Sequence, residues 1–330
     1  MKLRIGFTYD AKDDYAIKPG DAPDKYAEFD FEETIVEIVN ALATSGHEIV
    51  RIGHAQSLLD KIAGGERWDL VFNIAEGLKG RNRESQVPMI LEMYDIPYAG
   101  SDALSMGITL DKAVAKMIID YHGIRTPRFL EAATLADLDK FKLNFPVFVK
   151  PSEEGTSKGI SEEAIARDID ALSKRAASLI EEYKQPVLIE EFIYGQEFTV
   201  AVIGNESPIA LPPVQIAIKG KTDLGDTVYT HAMVANDDVE YICPSSAPKA
   251  LLEEMMKMTV DAYKALGCRD FSRMDYRVDQ NGKPYFLECN PLPHLGESDV
   301  FPLVAAASGR TYKQIVAEIL NYALKRYNIK

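Results

Sequence analysis

The N-terminal part of the chain alternates between strand-like and helix-like patterns of apolar residues. Alternating apolar and polar positions predict strands, and apolar positions every three to four residues predict helices. The predicted order is strand, helix, strand, strand, helix, at residues 2–8, 31–43, 48–52, 70–74 and 89–93. This order is typical of a βαβ domain with a parallel sheet. Ligands of such sheets gather at the carboxyl ends of strands, so we expect a binding site beside residues 8–10 and 73–77.

The rest of the chain predicts further helices and short strands. Helices are predicted at 110–121, 161–180, 251–266 and 312–327, and strands at 145–150, 187–193 and 198–203. The first of these helices has an apolar side made of Val114, Met117, Ile118 and Tyr121. Thr126-Pro127 marks a domain boundary, whereas residues 211–244 look irregular and are expected to form a mobile cover.

A β-hairpin is predicted between residues 271 and 290. Two runs rich in Tyr, Phe, Val and Leu flank Asn281-Gly282, the strongest short hairpin signal. A two-residue turn there pairs Asp275 with Glu288 and Arg273 with Asn290. The register predicts an apolar face of Met274, Tyr276, Val278, Tyr285, Leu287 and Cys289. The other face then carries Arg273, Asp275, Arg277, Phe286, Glu288 and Asn290.

The hairpin register places two carboxylates opposite each other. Directly opposed residues have β-carbons roughly 4.5–5.5 Å apart, where like charges repel each other. Asp275, Glu288 and the carbonyl oxygen of Asn290 form an oxygen-only set that suits Mg²⁺ beside substrate phosphates. In the alternative interpretation, Arg273 and Arg277 neutralise the two carboxylates in a solvated ladder.

A glycine-containing loop follows the strand that ends at Lys150. Residues 153–159 read EEGTSKG, in which glycines free backbone N–H groups to face an anion, while hydroxyls and Lys158 add donors and charge. The loop predicts a phosphate cradle or, alternatively, a plain connection between two elements. The sequence contains no P-loop pattern and no GxGxxG after the first strand.

Composition and charge narrow the class of protein. The 330 residues suit two or three domains, and no apolar run of about 18 residues or signal-peptide pattern occurs. We therefore expect a cytoplasmic protein without a membrane partner. The three widely spaced cysteines predict neither a disulfide framework nor a thiolate metal site. A formal net charge of −14 disfavours nucleic acid, so an anionic ligand needs a local positive pocket.

An acidic run separates the first strand from the first helix. It contains Asp13, Asp14, Asp21, Asp24, Glu28, Asp30 and Glu32. A long loop of this kind is either functional or a solvated face.

Several short motifs follow one another along most of the chain. They are Asp111-Lys112, Val149-Lys150-Pro151 with its glycine loop, Glu190 to Ile193, Glu197, Arg273-x-Asp275 and Glu288-x-Asn290. The ordered series resembles the ATP-grasp fold and, within it, the D-alanine–D-alanine ligases. The resemblance implies an α/β protein with an N-terminal βαβ (preATP-grasp) domain, followed by an ATP-grasp fold of two α+β subdomains with nucleotide between them. The expected domains are 1–123, 124–195 and 196–330, with the metal site in the last.

The resemblance also implies which residues bind ATP and metal. The ATP-binding residues would be Lys112, Lys150, Glu154, Gly155, Thr156, Ser157, Gly159, Glu190, Phe192, Ile193, Glu197 and Phe286. The lysines contact phosphates and the loop folds over them, whereas Glu190 and the backbone at 192–193 hold adenine and Glu197 holds the ribose. Phe286 either touches the adenine ring or packs the hairpin against the small ATP-binding domain. Asp275, Glu288 and Asn290 would bind two Mg²⁺ ions, or Mn²⁺ in their place.

The implied reaction is the ATP-dependent joining of a carboxylate to an amine. A substrate carboxylate attacks the γ-phosphate while Lys150 and two cations offset the negative charge, and an amine then attacks the acyl phosphate. Arg273 would stabilise the resulting oxyanion, or form a salt bridge with a hairpin carboxylate, or do both. The implied substrates are small amino acids or peptides, and a homodimer is one expected form of the protein.

The residues expected to hold the amino acids depart from the family pattern. A Gly-Gly-x-Ser-x-Glu segment is missing after the first strand, and the histidine of Phe-Asn-x-x-His-Gly is replaced by Glu76. The family serine that receives a substrate carboxylate falls at Asp299, next to Ser298. We therefore expect substrates other than two D-alanines. Arg81 and Arg83 would take a substrate carboxylate, while Glu76 and Asp299 would hold an ammonium group.

Two other functions stay open at this point. One is an ATP-binding sensor or structural homologue without ligase activity, and the other is a kinase that stops at the acyl phosphate. The retained set of Asp275, Glu288 and Asn290 argues against a mere binder, which has little need for a two-metal site.

Overall fold

A parallel sheet forms the N-terminal part of the protein. The computed structural model describes residues 2–18, 24–230, 233, 236 and 238–330. The first sheet contains β1 (Arg4–Thr8), β2 (Glu48–Gly53), β3 (Leu70–Asn73) and β4 (Tyr98–Ala99), in the order β2-β1-β3-β4. Its helices are α1 (Glu32–Ala43), α2 (Ala55–Ala63), α3 (Gln86–Met93) and α4 (Ala103–Leu110). All its strand pairs are parallel, which confirms the βαβ prediction.

A second, antiparallel sheet follows helix α5 (Lys112–Tyr121). It consists of β5 (Phe129–Ala132), β6 (Val147–Pro151), β7 (Ile165–Ala166) and β8 (Val187–Glu191), in the order β5-β8-β6-β7. Helix α6 (Ile169–Tyr183) packs on this sheet through Leu172, Ala176 and Leu179. The predicted helix start at residue 161 is wrong, because β7 pairs with β6 and the helix begins only after Asp168. The Asp168 carboxylate accepts the N–H of Ala171 at 2.8 Å and so caps the helix.

The third sheet is also antiparallel and carries the predicted hairpin. Its strands are β9 (Gln196–Ile203), β10 (Ile209–Ala210), β11 (Val214–Ile218), β12 (Val239–Ile242), β13 (Phe271–Val278) and β14 (Pro284–Asn290). The order is β12-β11-β9-β13-β14, with β10 paired to β9. The prediction that 211–244 is irregular is therefore wrong for β11 and β12. β11 pairs with both β9 and β12, which hydrogen-bond its buried backbone.

The hairpin register is as predicted at the acidic end and shifted near the turn. Asp275 pairs with Glu288 and Arg273 pairs with Asn290, but beyond a β-bulge Tyr276 pairs with Phe286 rather than with Leu287. The turn also differs, because Gly282 donates its N–H to the carbonyl of Asp279 at 2.9 Å. The turn thus spans residues 279–282, with Gly282 at φ +74°.

The bulge moves two neighbouring side chains to opposite faces of the hairpin. Phe286 is fully buried and packs edge-on against Tyr276, with ring centroids 6.2 Å apart. It belongs to the core beneath helix α7 (Lys249–Ala265). Leu287 lines the cavity described below. The predicted faces are therefore wrong for these two residues.

The C-terminal helices pack against the N-terminal sheet. They are α8 (Val300–Ala307) and α9 (Tyr312–Arg326). Ile315 and Ile319 of α9 are buried in the same cluster as Phe7 of β1 and Ile35 of α1. The last helix therefore completes the hydrophobic core of the N-terminal sheet. The domain limits 1–123, 124–195 and 196–330 stay a prediction. Among the described helices, none is long and apolar enough to cross a membrane.

Candidate active site

A cavity of about 480 Å³ is lined by residues from all three sheets and their loops. Among the residues singled out from the sequence, its wall includes Glu76, Lys150, Gly155, Thr156, Ser157, Glu190, Phe192, Ile193, Glu197, Arg273, Asp275, Glu288, Asn290, Ser298 and Asp299. The structure thus gathers most of the expected site residues in one place. The wall does not include Arg81, Arg83, Lys112, Glu154, Gly159 or Phe286.

Helix α5 turns two lysines toward this site. Its N-cap is Asp111, whose carboxylate accepts the N–H of Val114 at 3.0 Å. Lys112 and Lys116 are four residues apart and therefore share one helix face, which is buried. The predicted apolar side is wrong, because Met117 is 55% and Tyr121 is 87% exposed.

Glu190 lies between two buried ammonium groups. Its carboxylate is 2.8 Å from the Lys116 Nζ and 3.1 Å from the Lys150 Nζ. Burial alone would raise the pKa of Glu190, but the two lysines outweigh it and hold the pKa at about 2. Phe192 donates its N–H to the carbonyl of Pro146 at 3.1 Å. This N–H is therefore not available to hydrogen-bond an adenine ring.

Asp275 and Glu288 face each other across the hairpin, as the sequence predicts. The Asp275 carboxylate accepts from the hydroxyl of Thr199 at 2.5 Å and from the amide of Asn290 at 2.9 Å. Glu288 is 3.6 Å from the Nζ of Lys112 and 3.7 Å from that of Lys150. Burial raises the pKa of Asp275, with a further rise from Glu288, whereas the two lysines hold the pKa of Glu288 below its usual value despite burial.

This donor set fits a hard divalent cation. The opposed carboxylates of Asp275 and Glu288 and the amide oxygen of Asn290 are ligands of the kind that Mg²⁺ accepts. In the described ranges, no three His, Cys, Asp or Glu side chains are grouped so as to hold a metal ion. A cation between Asp275 and Glu288 therefore depends on substrate oxygens to complete its coordination.

Arg273 belongs to a chain of alternating charges. Its guanidinium lies 3.4 Å from Asp275 and 3.7 Å from Asp299. Asp299 also lies 3.3 Å from His294, which in turn is 3.4 Å from Asp30. Burial would raise the pKa of Asp299, but His294 and Arg273 lower it. Asp299 therefore faces the Arg273 guanidinium and the His294 ring, which argues against its expected role in holding a substrate ammonium group.

The two arginines expected to take a substrate carboxylate are paired elsewhere. Arg81 is bound to Asp111 and lies 3.4 Å from Glu153. Arg83 is buried and donates to the Glu28 carboxylate and to the Glu153 carbonyl, both at 2.8 Å. Neither lines the cavity. The structure thus corrects this expectation, because protein carboxylates already occupy both guanidinium groups.

The acidic run contacts the glycine loop of the second sheet. Glu28 accepts the N–H of Gly155 at 2.7 Å, and Asp24 accepts the N–H of Gly159 at 3.2 Å. Lys158 lies 3.2 Å from Glu28 and is also paired with Glu154. Asp24 and Glu28 are therefore not part of a solvated face, whereas Asp13, Asp14 and Glu32 are exposed and Asp21 lies outside the described residues.

Phe286 is not where the nucleotide prediction requires it. The side chain is buried in the core beneath α7, and Leu287 takes its place on the cavity wall. The expectation that Phe286 touches adenine is therefore corrected, because the ring packs in the core beneath α7.

The residues of this site that sequence reasoning missed include Glu84, Lys116, Leu287 and His294. The spacing of Lys116 from Lys112 was a usable signal, because two lysines one turn apart share a helix face. Glu84 lies in the run Arg81–Glu84, in which only the two arginines were expected to bind substrate. The bulge that exposes Leu287 has no recognisable signal in the sequence.

The three sheets and the lysine-lined cavity with its opposed carboxylates define an ATP-grasp enzyme. A family model described as "D-ala D-ala ligase C-terminus" matches residues 111–321. The chain therefore belongs to the D-alanine–D-alanine ligase family, whose members are ADP-forming ATP-grasp ligases.

Individual relatives agree with this assignment. The chain is 30% identical over 303 residues to a D-alanine–D-alanine ligase of Pelotomaculum thermopropionicum, covering 89% of this chain and 92% of the relative. It is 32% identical over 302 residues to an uncharacterized protein of Sinorhizobium fredii, covering 88% and 87%. The crystal structure of the Bacillus anthracis D-alanine–D-alanine ligase complexed with ATP superposes with a TM-score of 0.74 at 26% identity, covering 99% of both chains.

Proposed function

We propose that this protein joins a carboxylate to an amine through an acyl phosphate, with ATP as the phosphoryl donor and with amino acids other than two D-alanines as substrates. The observation that carries the proposal is the contrast between two parts of one cavity. Its phosphate end keeps Lys150, Asp275, Glu288 and Asn290 in one cluster. Its other wall presents Glu76 at the position where the family has a histidine.

The lysines and Arg273 have separate tasks in this proposal. Lys112 and Lys150 already share Glu288, so they offset negative charge where a transferred phosphoryl group meets a carboxylate. Mg²⁺ bound by Asp275, Glu288 and Asn290 would neutralise the phosphates and align them. Arg273, fixed by Asp275 and Asp299, donates toward the oxyanion that forms when the amine attacks.

Relatives named D-alanine–D-alanine ligase supply the natural alternative, that the product is D-alanyl-D-alanine. In this chain Asp299 stands where the family has a serine that receives a substrate carboxylate. Although His294 and Arg273 face it, an aspartate offers that carboxylate no hydroxyl donor. The observed wall therefore favours a different amino acid.

The test is an ADP-release screen across pairs of D- and L-amino acids, β-amino acids and small peptides, with mass spectrometry of the products. We expect Mg²⁺-dependent amide formation with at least one pair and only weak turnover of D-alanine. Efficient, saturable D-alanine-dependent release would refute the altered pocket. Trapping of an acyl hydroxamate without any amide would instead identify a kinase, and no ADP release with any pair would favour a non-catalytic binder.

A further inference from the structure

Two carboxylates on the N-terminal wall of the cavity have no partner. Glu76 follows β3, and Glu84 lies in the short turn before α3; both line the cavity. Glu84 is only 6% exposed, and its Oε2 is shielded from solvent without a hydrogen bond. Within the described part of the chain, neither side chain has an ion pair.

The nearest positive groups are bound to other carboxylates. Arg83 lies 2.8 Å from Glu28, and Lys158 is shared between Glu28 and Glu154. These two cations and two carboxylates balance one another. The charges of Glu76 and Glu84 are therefore only partly compensated by the protein.

An unpaired buried carboxylate is unfavourable, so Glu84 needs a cation or a proton, and Glu76 is half-buried on the same wall. Burial raises the pKa of both groups, that of Glu84 to about 7, and the nearby Glu28 carboxylate raises both further. Cationic ligands that replace the protons would restore the charge balance of the wall.

We infer that Glu76 and Glu84 receive a cationic side-chain group of a substrate. At least one of the two joined molecules is then a basic amino acid, or a short peptide that contains one, with an ammonium or guanidinium group beyond its α-amino group. This inference rests on the proposed ligase function and names the substrate class for it.

The number of carboxylates argues for a second positive group. Asp30 also lines the cavity, beside His294 and hence nearer to Arg273 and the reacting end. One carboxylate is enough to balance a single α-ammonium group, and Asp30, which faces His294 but is not paired with Arg273 as Asp299 is, can supply it. Glu76 and Glu84 remain for another cation.

An organic cation fits this pair better than a metal ion does. Within the described residues, no third His, Cys, Asp or Glu completes a metal-binding group with them. An ammonium group carries three N–H donors and a guanidinium group five, so either can bond both carboxylates at once.

The inference is tested by calorimetric titration of the protein loaded with Mg²⁺ and a non-hydrolysable ATP analogue. D- and L-lysine and ornithine are compared with their uncharged counterparts norleucine and norvaline. We expect at least one basic amino acid to bind at least about tenfold more tightly than its counterpart, as a charged hydrogen bond in a shielded site provides. Glu84→Gln and Glu76→Gln should each remove most of this advantage, measured as the ratio of the two affinities in the same variant.

The control is Glu206→Gln, which changes an exposed glutamate outside the cavity and should keep the full advantage. Equal binding of charged and uncharged amino acids, or an advantage that survives both cavity variants, would overturn the inference. So would a Mg²⁺ or Ca²⁺ ion that binds without nucleotide and is lost in Glu84→Gln.

A parallel ADP-release assay separates this inference from the proposed function. Amide formation without a preference for basic amino acids would leave the ligase standing and remove the inference. Tight binding of a basic amino acid without any amide product would instead support the binding site and remove the proposed ligase function.

Discussion

Buried charges around Glu190, on the wall of the cavity, stabilise one another. Lys116 is fully buried and contacts the Glu190 carboxylate and the hydroxyl of Thr126, at 2.8 and 2.7 Å. Removing one member of a buried ion pair leaves the other without compensation, which is more costly than replacing both by apolar residues. The stability of this end therefore depends on residues from α5 and β8 together.

We expect Lys116→Met to lower the free energy of unfolding by about 3–5 kcal/mol, because Glu190 would keep only Lys150. Urea denaturation followed by circular dichroism measures the change. The control is Lys257→Met, which removes a helix-surface lysine whose side chain is 78% exposed and should cost no more than about 0.5 kcal/mol. Equal losses in the two variants would contradict the importance of the buried pair.

Glu84 makes stability depend on pH in a predictable direction. Burial raises its pKa in the folded protein to about 7, although Arg83 and two lysines lower it in part. The unfolded chain loses this proton near the ordinary glutamate pKa of about 4.3, so between these values the folded protein binds more protons. Stability contributed by this group therefore falls as pH rises from about 4.3 to 7 and then levels off. The groups that act on it are Arg83, Glu28, Lys112, Lys158 and Glu76.

We expect Glu84→Gln to match the native protein in stability near pH 4.5 and to exceed it by about 3 kcal/mol at pH 8, because glutamine carries no charge to bury. Urea denaturation across this pH range measures the difference. A difference that does not change with pH would show that Glu84 has a partner in solution.

The pairing register of the hairpin follows the sequence prediction at its acidic end and departs from it between the bulge and the turn. The Asn281-Gly282 signal correctly indicates a hairpin, but the turn uses residues 279–282 and shifts the pairing by one. The bulge at Leu287 shifts the pairing back, so that Asp275 and Glu288 meet as predicted. Local patterns report the turn and the alternation, whereas the bulge depends on packing beneath α7.

Phe286 and Leu287 are neighbours in the hairpin, so variants of the two distinguish a core position from a position on the cavity wall. We expect Phe286→Ala to cost about 3–5 kcal/mol of stability with little change in the KM for ATP, because the ring packs in the core. Leu287→Ala should cost much less stability but raise that KM about fivefold, through the loss of about 1 kcal/mol of apolar contact. Denaturation and steady-state kinetics measure both. A raised KM for ATP in Phe286→Ala, together with the larger stability loss in Leu287→Ala, would show that Phe286 faces the nucleotide.

Helix α5 shows a second limit of sequence patterns. Periodicity assigned its buried face to apolar residues, but the structure buries Lys112 and Lys116 there. Their partners Glu288 and Glu190 are more than seventy residues away in the sequence, so nothing local reveals that these charges are compensated. Strands β11 and β12 were missed for a related reason, since pairing with β9 stabilises a segment with weak local signals.

For the whole molecule, the packing of α9 ties the two ends of the chain together. Ile319 of α9 is fully buried in the cluster that contains Phe7 of β1 and Ile35 of α1. The N-terminal sheet is therefore completed by residues that come last in the sequence. Its stability should respond to changes in the C-terminal helix.

We expect Ile319→Ala to cost about 2–5 kcal/mol and to lower the midpoint of unfolding reported by Trp68, the single tryptophan of the chain. Trp68 packs against Gly6 of β1, so its fluorescence follows the N-terminal sheet. The matched control in the same helix is Lys313→Ala, an exposed position that should shift the midpoint little. An unchanged Trp68 transition in Ile319→Ala would show that the two ends unfold separately.

The contact between the acidic run and the glycine loop bears on how the enzyme loads its nucleotide. An amide hydrogen that bonds the carboxylate of Glu28 is already satisfied, and the same holds for the amide that bonds Asp24. A triphosphate that arrives at this loop must displace those side chains to use the same two amides. If the loop holds phosphates as its sequence predicts, nucleotide entry would exchange one anion for another at these two amides.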